Sequence, residues 1–337
     1  MQSEKALNKT EILRLIPSVN TLLQRDVAQK LFKQVGAKRL ADLARFVTES
    51  LREEILGSVN EDAFDLAEFS REALLEKAEA RLKIAWEIEQ SASLKRVINA
   101  TGVAIHTNLG RAPLSDDAKR AMIDEASRYC TLEYDVETGK RGKRGLRVEE
   151  LLTELTGAEA ALVVNNCAAA AILVLTVLCE GGEAIVSRGE LVEIGGDFRV
   201  PDLMRETGAQ MVEVGTTNKT HVSDYENAIT ENTKLITKVH TSNYRIVGFT
   251  ATPRVAELAE VAKQNGVLLY EDAGSGALID LSEYGLRDEP LIAESIAAGA
   301  DVITFSGDKL LGGTQAGMVV GKAEVIARIR KHPFYRA

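Results

Sequence analysis

Cysteine is scarce. Cys130, Cys167 and Cys179 are the only three in 337 residues. They are odd in number and fit no metal-ligand spacing, so no metal is expected and the default compartment is a reducing cytoplasm. No apolar run is long enough to cross a membrane. The longest free of charge, "AAAAILVLTVLC" from Ala168 to Cys179, has the length of a buried helix. The opening "MQSEKALNKT" lacks the apolar core of a signal peptide. Positive charge is in deficit: the formal net charge is −9, so the whole chain is no electrostatic sink for nucleic acid, and such a role needs a local basic patch. Internal repeats and low-complexity segments are missing too.

What is present divides at about residue 95. The first part has few glycines and long helical patterns. In "EILRLIPSVNTLLQR" the apolar positions Ile12, Leu15, Ile16, Val19, Leu22 and Leu23 recur at helical spacing, and Pro17 kinks the segment or marks a new helix start. "LAEFSREALLEKAEARLKIAWEIEQ" is long, acidic and helical. Residues 1–95 are therefore expected to form a small helical domain and connector. Its opening half is basic: Lys5, Lys9, Arg14, Arg25, Lys30, Lys33, Lys38, Arg39 and Arg45 face only Glu4, Glu11, Asp26, Asp42 and Glu49. This is a candidate surface for RNA phosphates, or else a packing or oligomerisation module. The loop "GKRGKRG" (139–145) is a second basic candidate.

From residue 96 to 337 short β-branched runs alternate with helical stretches. Strands are expected at 160–164, 183–187, 210–214, 234–240, 267–272, 301–306 and 317–321. The alternation predicts an α/β domain with a mostly parallel seven-stranded sheet and helices on both faces. Such sheets bind ligands at the carboxyl ends of their strands.

Three strand ends carry chemistry. Lys309 follows "DVITFS" and precedes Gly312 and Gly313. A lysine near low-dielectric walls has a lowered pKa and can act as an amine nucleophile, and its outstanding use is a Schiff base with pyridoxal phosphate. Asp272 ends "VLLYED", where a carboxylate can keep a pyridine nitrogen protonated; its bland alternative is a turn or cap aspartate. "NNCAAAA" (165–171) opens an apolar helix whose first N–H groups suit a phosphate, unless Asn165 or Asn166 is a plain N-cap. Ser306 can donate its hydroxyl to the same phosphate, and Gly312 and Gly313 admit close backbone approach. Each sign is weak alone; together, in this order, they are strong. Ser306-x-x-Lys309 also matches a serine-acylase pattern, but no S-D-N or K-T-G follows. "GSGALI" lacks the last glycine of a dinucleotide fingerprint.

The stretches "INATGVAIHTNLGRAPL", "TLEYD", "VSRGELVEIGGDFRVPDLM", "VGTTNKTH", "KVHTSNYRIVGFT", "DAGSG" and "FSGDKLLGGTQAG" resemble the bacterial selenocysteine synthase family, L-seryl-tRNA(Sec) selenium transferase. The resemblance extends to "LRLIPSVNTLLQR" and covers nearly the whole chain. It implies a fold-type-I pyridoxal-phosphate enzyme that replaces the β-hydroxyl of seryl-tRNA(Sec) with selenium from selenophosphate. It implies that Lys309 carries the cofactor, that Asp272 faces the pyridine nitrogen, and that Asn166, Cys167 and Ser306 lie round its phosphate with Gly313 close by. His240 would approach the ring or its hydroxyl, Asp308 would help in the chemistry, and Arg111 and Arg336 would hold the anionic end of the donor. His106, Glu190 and Glu193 only sit in matching motifs.

The family continues past the position of Ala337 into a small domain. The chain is thus expected to be short of that domain and of a second donor-binding arginine. A homo-oligomer is implied, a dimer or a ring of dimers. Two other functions stay open: a related cofactor enzyme, such as a lyase, acting on a small free amino acid, and an inactive tRNA-binding fragment.

Overall fold

A computed structural model describes residues 9–57, 69–91, 94–195, 198–286 and 289–336. The chain divides into two compact units, Met1–Ile98 and Asn99–Ala337.

The first unit is helical. The apolar run after Ile12 is two helices, Lys9–Leu13 and Val19–Leu23. Ser18 caps the second by accepting the Thr21 N–H at 3.1 Å, and the buried Pro17 precedes the cap, so the proline marks a new start and not a kink. A long stretch, Asp26–Gly57, breaks at Gly36, whose φ of 75° no helix interior contains. It packs with Arg71–Ser91 through Leu31, Leu43, Val47, Leu51 and Leu82. The part of the second acidic helical pattern before Phe69 lies outside the described residues. Arg25 and Arg39 reach across to Glu79 and Glu89, and Arg45 pairs with Asp42. Arg14, Lys30, Lys33 and Lys38 are exposed.

The second unit is built on one sheet. Its strands are β1 (Ala160–Val164), β2 (Glu183–Ser187), β3 (Gln210–Val214), β4 (Thr233–Val239), β5 (Leu268–Gly274), β6 (Val302–Ser306) and β7 (Gly317–Gly321). The order across the sheet is β1-β7-β6-β5-β4-β2-β3. All the pairs from β6 to β3 are parallel, while β7 runs antiparallel to both β6 and β1. The expected seven strands therefore form, as a mixed, mostly parallel sheet.

Both faces are covered. Successive strand residues point to opposite sides, and the central strands are apolar on both. In β2, Val186 enters the core with Leu173, Val174, Val319 and Ile329, whereas Ile185 enters the other with Ile236, Leu258, Leu269 and Ile303. The uncharged run becomes the helix Cys167–Cys179, buried in the first core. No described helix is long and apolar enough to cross a membrane. Two short two-stranded ribbons, Tyr134–Asp135 with Lys140–Arg141 and Glu193–Ile194 with Phe198–Arg199, lie outside the sheet.

Candidate active site

The carboxyl ends of β4, β5 and β6 converge, because the three strands are parallel neighbours. Val239 and Thr304 flank Asp272 in register. The antiparallel β6–β7 connection holds Lys309 in a tight turn. Gly307 N–H donates to Ala316 C=O at 2.8 Å, Gly313 N–H to Gly307 C=O at 2.8 Å, and Gly312 N–H to Lys309 C=O at 3.0 Å. Gly312 has φ 69°, a backbone state that favours glycine. Leu310 N–H reaches Ser275 C=O at 3.3 Å and so ties the turn to the end of β5.

Asp272 lies at the centre. Thr304 Oγ1 donates to its Oδ1 at 3.1 Å, and Cys167 Sγ lies 3.7 Å from the same oxygen. Tyr270 and Thr304 share a hydroxyl hydrogen bond of 2.8 Å below it. Burial pushes the Asp272 carboxyl up; the Thr304 hydroxyl, the Lys309 charge, the Cys167 thiol and the Gly274 N–H oppose this without cancelling it. Burial also pushes the Cys167 thiol well up, helped by the Asp272 charge and opposed by Lys309, Ser306 and Thr304. The thiol thus stays protonated and can donate its S–H to Asp272. Lys309, Asp272, Cys167, Ser306 and Thr304 form one cluster.

Asn166 is the N-cap of the helix Cys167–Cys179; its Oδ1 accepts the Ala169 N–H at 2.8 Å. The cap and the phosphate reading use different groups, because the side chain serves the cap while other N–H groups of the first turn stay available. Strand β7 packs close here. A β-carbon at Gly317 would run into the Asn166 carbonyl oxygen.

Asp308 turns the other way. Its Oδ2 accepts Arg111 Nη1 at 2.7 Å, its carbonyl accepts the Ala112 N–H at 3.1 Å, and its Oδ1 is buried without a partner. Arg111 has φ 61°, the only non-glycine among the described residues in the left-handed region. Such strain collects at functional sites. It follows a turn at Thr107–Leu109 in which His106 Nδ1 accepts the Asn108 N–H at 3.2 Å.

His240 follows β4. Its N–H donates to Asp272 C=O at 2.9 Å, and its Nε2 lies 3.4 Å from Glu289 Oε1. It lines a cavity of about 1230 Å³ with Glu190, Lys238, Tyr244, Glu271 and Glu289. Glu190 is a buried anchor there, binding Lys238 Nζ at 2.5 Å and the Val239 N–H at 3.0 Å. Glu193 is exposed and pairs with Arg199 at 2.6 Å.

Arg336 stands apart. It lines a different cavity of about 1010 Å³ with Arg141, Arg144, Arg330 and Tyr335, whose wall includes Gln315 and Ala316 of the lysine turn. The structure therefore groups Lys309, Asp308, Arg111, Asp272, Cys167 and Ser306, joins His240 to them through Asp272, and sets Gly313 and Asn166 in the flanking backbone.

Thr304, Ser275 and Glu289 escaped the sequence reading. Thr304 carried a usable signal: it is polar within an apolar strand and two residues before Ser306, hence on the same face. Glu289 carried none.

A family model described as "SelA: L-seryl-tRNA selenium transferase" matches residues 97–337. The chain belongs to this family. The family protein of Alkaliphilus metalliredigens, an L-seryl-tRNA(Sec) selenium transferase, is 48% identical over 335 residues, covering 98% of this chain and 70% of that one. A Clostridium perfringens protein of the same name is 49% identical over 327 residues, 97% of this chain and 69% of its own. Among solved structures, a D-glucosaminate-6-phosphate ammonia-lyase superposes with TM-score 0.58 at 22% identity, covering 74% of this chain and 64% of that one. A SepCysS–SepCysE N-terminal domain complex gives 0.51 at 16%, covering 74% and 62%. These two speak for the fold alone.

The residues of this family member fit pyridoxal phosphate. Asp272 is a buried carboxyl group whose charged form burial disfavours, with a hydroxyl, a thiol and an N–H as its hydrogen-bond donors. A protonated pyridine nitrogen is the cation such a group calls for. Lys309 supplies the amine beside it, and the helix start at Cys167 supplies N–H groups for a phosphate.

Proposed function

We propose that the protein converts L-seryl-tRNA(Sec) to selenocysteinyl-tRNA(Sec), with pyridoxal phosphate as cofactor and selenophosphate as the selenium donor. The observation that carries this reading is the Lys309–Asp272–Cys167 cluster beside the Arg111–Asp308 pair, within a chain 48% identical to a named transferase over 98% of its length. When bound, the cofactor draws electrons from the substrate α-carbon so that the β-hydroxyl can leave.

The chain's own residues do the rest. Lys309 Nζ would hold the cofactor and, as a free amine, is placed to move the substrate α-proton. Asp272 holds the proton on the ring nitrogen. Thr304 and Cys167 fix that carboxylate from below. Arg111, oriented by Asp308, presents a planar fork to the anionic donor. Arg336, which lines a separate cavity, is proposed to hold the same donor.

The helical unit is proposed to select the tRNA. Arg14, Lys30, Lys33 and Lys38 are exposed and have no acidic partner among the described residues, so they are free for phosphates. A homo-oligomer of at least two chains is proposed as well. The helix Asp116–Ala126 has no buried residue and exposes Met122 and Ile123, a face suited to a second copy.

The test is selenium transfer from selenophosphate to seryl-tRNA(Sec) by the purified protein. Lys309→Ala should abolish it. Charge reversal of Lys30, Lys33 and Lys38 should weaken tRNA binding and flatten its salt dependence, with cofactor absorbance unchanged. Transfer to free serine at a comparable rate would contradict the reading.

A further inference from the structure

One carboxylate joins the strand ends of the site and has no part in the chemistry above. Glu289 precedes the helix Ile292–Ala297. The chain after it is fastened to the end of β5: Ile292 N–H donates to Ala277 C=O at 3.1 Å, and Leu291 bridges Ala277. Glu289 Oε1 accepts the Ser275 hydroxyl and lies 3.4 Å from His240 Nε2. Ser275 in turn accepts the Leu310 N–H through its carbonyl. One carboxylate oxygen thus links the residue after β4, the residue after β5 and the turn that carries Lys309.

The charge is in place. Burial pushes the Glu289 carboxyl up, but hydrogen bonds from His240 and Ser275 and the charges of His240 and Lys309 outweigh this and hold it below the usual carboxylate range. His240 Nε2 is buried without an aligned partner, and Glu289 is the acceptor that it faces. Hydrogen bonds of this kind are often long before ligands bind and shorten when they do. The other carboxyl near the imidazole, Glu271, is pushed up by burial, which favours its neutral form. Glu289 is the one that can receive a proton donor as an anion.

We propose that Glu289 is a positioning residue: it accepts a hydrogen bond from the Nε2–H of His240, fixing which ring nitrogen is protonated and how the ring is turned, and through Ser275 it locks that imidazole to the Lys309 turn. A carboxylate that orients an imidazole in this way sets the tautomer the site presents. The kinetic part of this inference rests on the proposed function; the state of the ring does not.

The experiment therefore reads the ring first. Long-range proton–nitrogen NMR of the nitrogen-15-labelled, cofactor-free protein resolves four histidines, with His240 assigned by His240→Asn. The wild type should show His240 protonated at Nε2. Glu289→Leu should mix the tautomers, whereas Glu289→Gln, whose carbonyl still accepts, should restore the wild-type pattern. In the loaded enzyme, Glu289→Leu should lower kcat about 10–100-fold, the loss that removing the orienting partner of a metal-bound histidine brings. KM for seryl-tRNA(Sec) should stay within about twofold, because the partner acts on the imidazole and not on the tRNA. In a His240→Asn background the same change should cost nothing further. A His240 ring spectrum that is the same in Glu289→Leu and wild type overturns the proposal, even if activity falls. An undiminished kcat loss in the His240→Asn background overturns it too. A wild-type protein that transfers no selenium overturns the proposed function instead, and the ring spectrum still decides the role of Glu289.

Discussion

Replacing Arg330 by Met should destabilise the second unit more than any surface change. Glu149 is only 7% exposed. Arg330 grips it with two parallel bonds, Nη1 to Oε1 at 2.8 Å and Nη2 to Oε2 at 2.9 Å, and also donates to Ala161 C=O of β1 at 2.8 Å. The guanidinium lies 5.4 Å from the Tyr335 ring centre. Lys143 of the basic loop donates to Glu149 Oε2 at 2.7 Å. Removing one member of a buried pair costs about 3–5 kcal/mol, because the other charge is stranded. Lys143 remains and is half exposed, so the low end applies, about 3 kcal/mol. For a unit of this size that is a fall in Tm of about 6–12 °C by calorimetry. The double variant Glu149→Leu with Arg330→Met should regain most of the loss, since no charge is left buried. A single-variant loss below about 0.5 kcal/mol, the usual scale of an indifferent surface change, would refute the reasoning. So would a double variant whose loss is the sum of the two singles.

Other outcomes follow from the site. Arg111→Lys keeps the charge but loses the fork, so the KM for the selenium donor should rise while the cofactor absorbance stays near normal; unchanged donor use in Arg111→Ala would make the arginine structural. Burial, opposed by Ser295, Lys238 and His240 and reinforced by Glu190, raises the Glu271 carboxyl above its unfolded value. The native state therefore holds that proton more tightly, and stability drops as pH climbs from the unfolded value through the folded one. Glu271→Gln should remove this drop, so denaturant titrations should find it more stable than wild type at neutral pH, with the gap closing in acid. An equal gap at all pH values would contradict the assignment.

The sheet was legible because its strands are short β-branched runs bounded by turn residues. Their count and their bounds, within a residue or two, follow from that pattern. Their order does not: β7 lies between β1 and β6, and that placement is a matter of tertiary packing. The two ribbons have strands of two residues each, too short for any alternation to register. In the first unit the run from Ile12 to Leu23 keeps helical spacing across a break, because the periodicity of apolar residues is blind to the Ser18 cap that stops and restarts the chain.

The site was legible where chemistry follows a strand end. Lys309, Asp272 and the helix start at Cys167 announce themselves by place and type. Glu289 lies in a polar loop without period, and only folding brings it to Ser275 and His240. Arg336 shows the converse: the motif names the residue, while the fold puts it in a different cavity from the one lined by His240.

The most direct test of the account is borohydride reduction of the cofactor-loaded protein followed by peptide mass mapping. The account predicts a pyridoxyl group on Lys309, within "FSGDKLLGG". A label on any other lysine, or none on a protein whose absorbance shows bound cofactor, would contradict it.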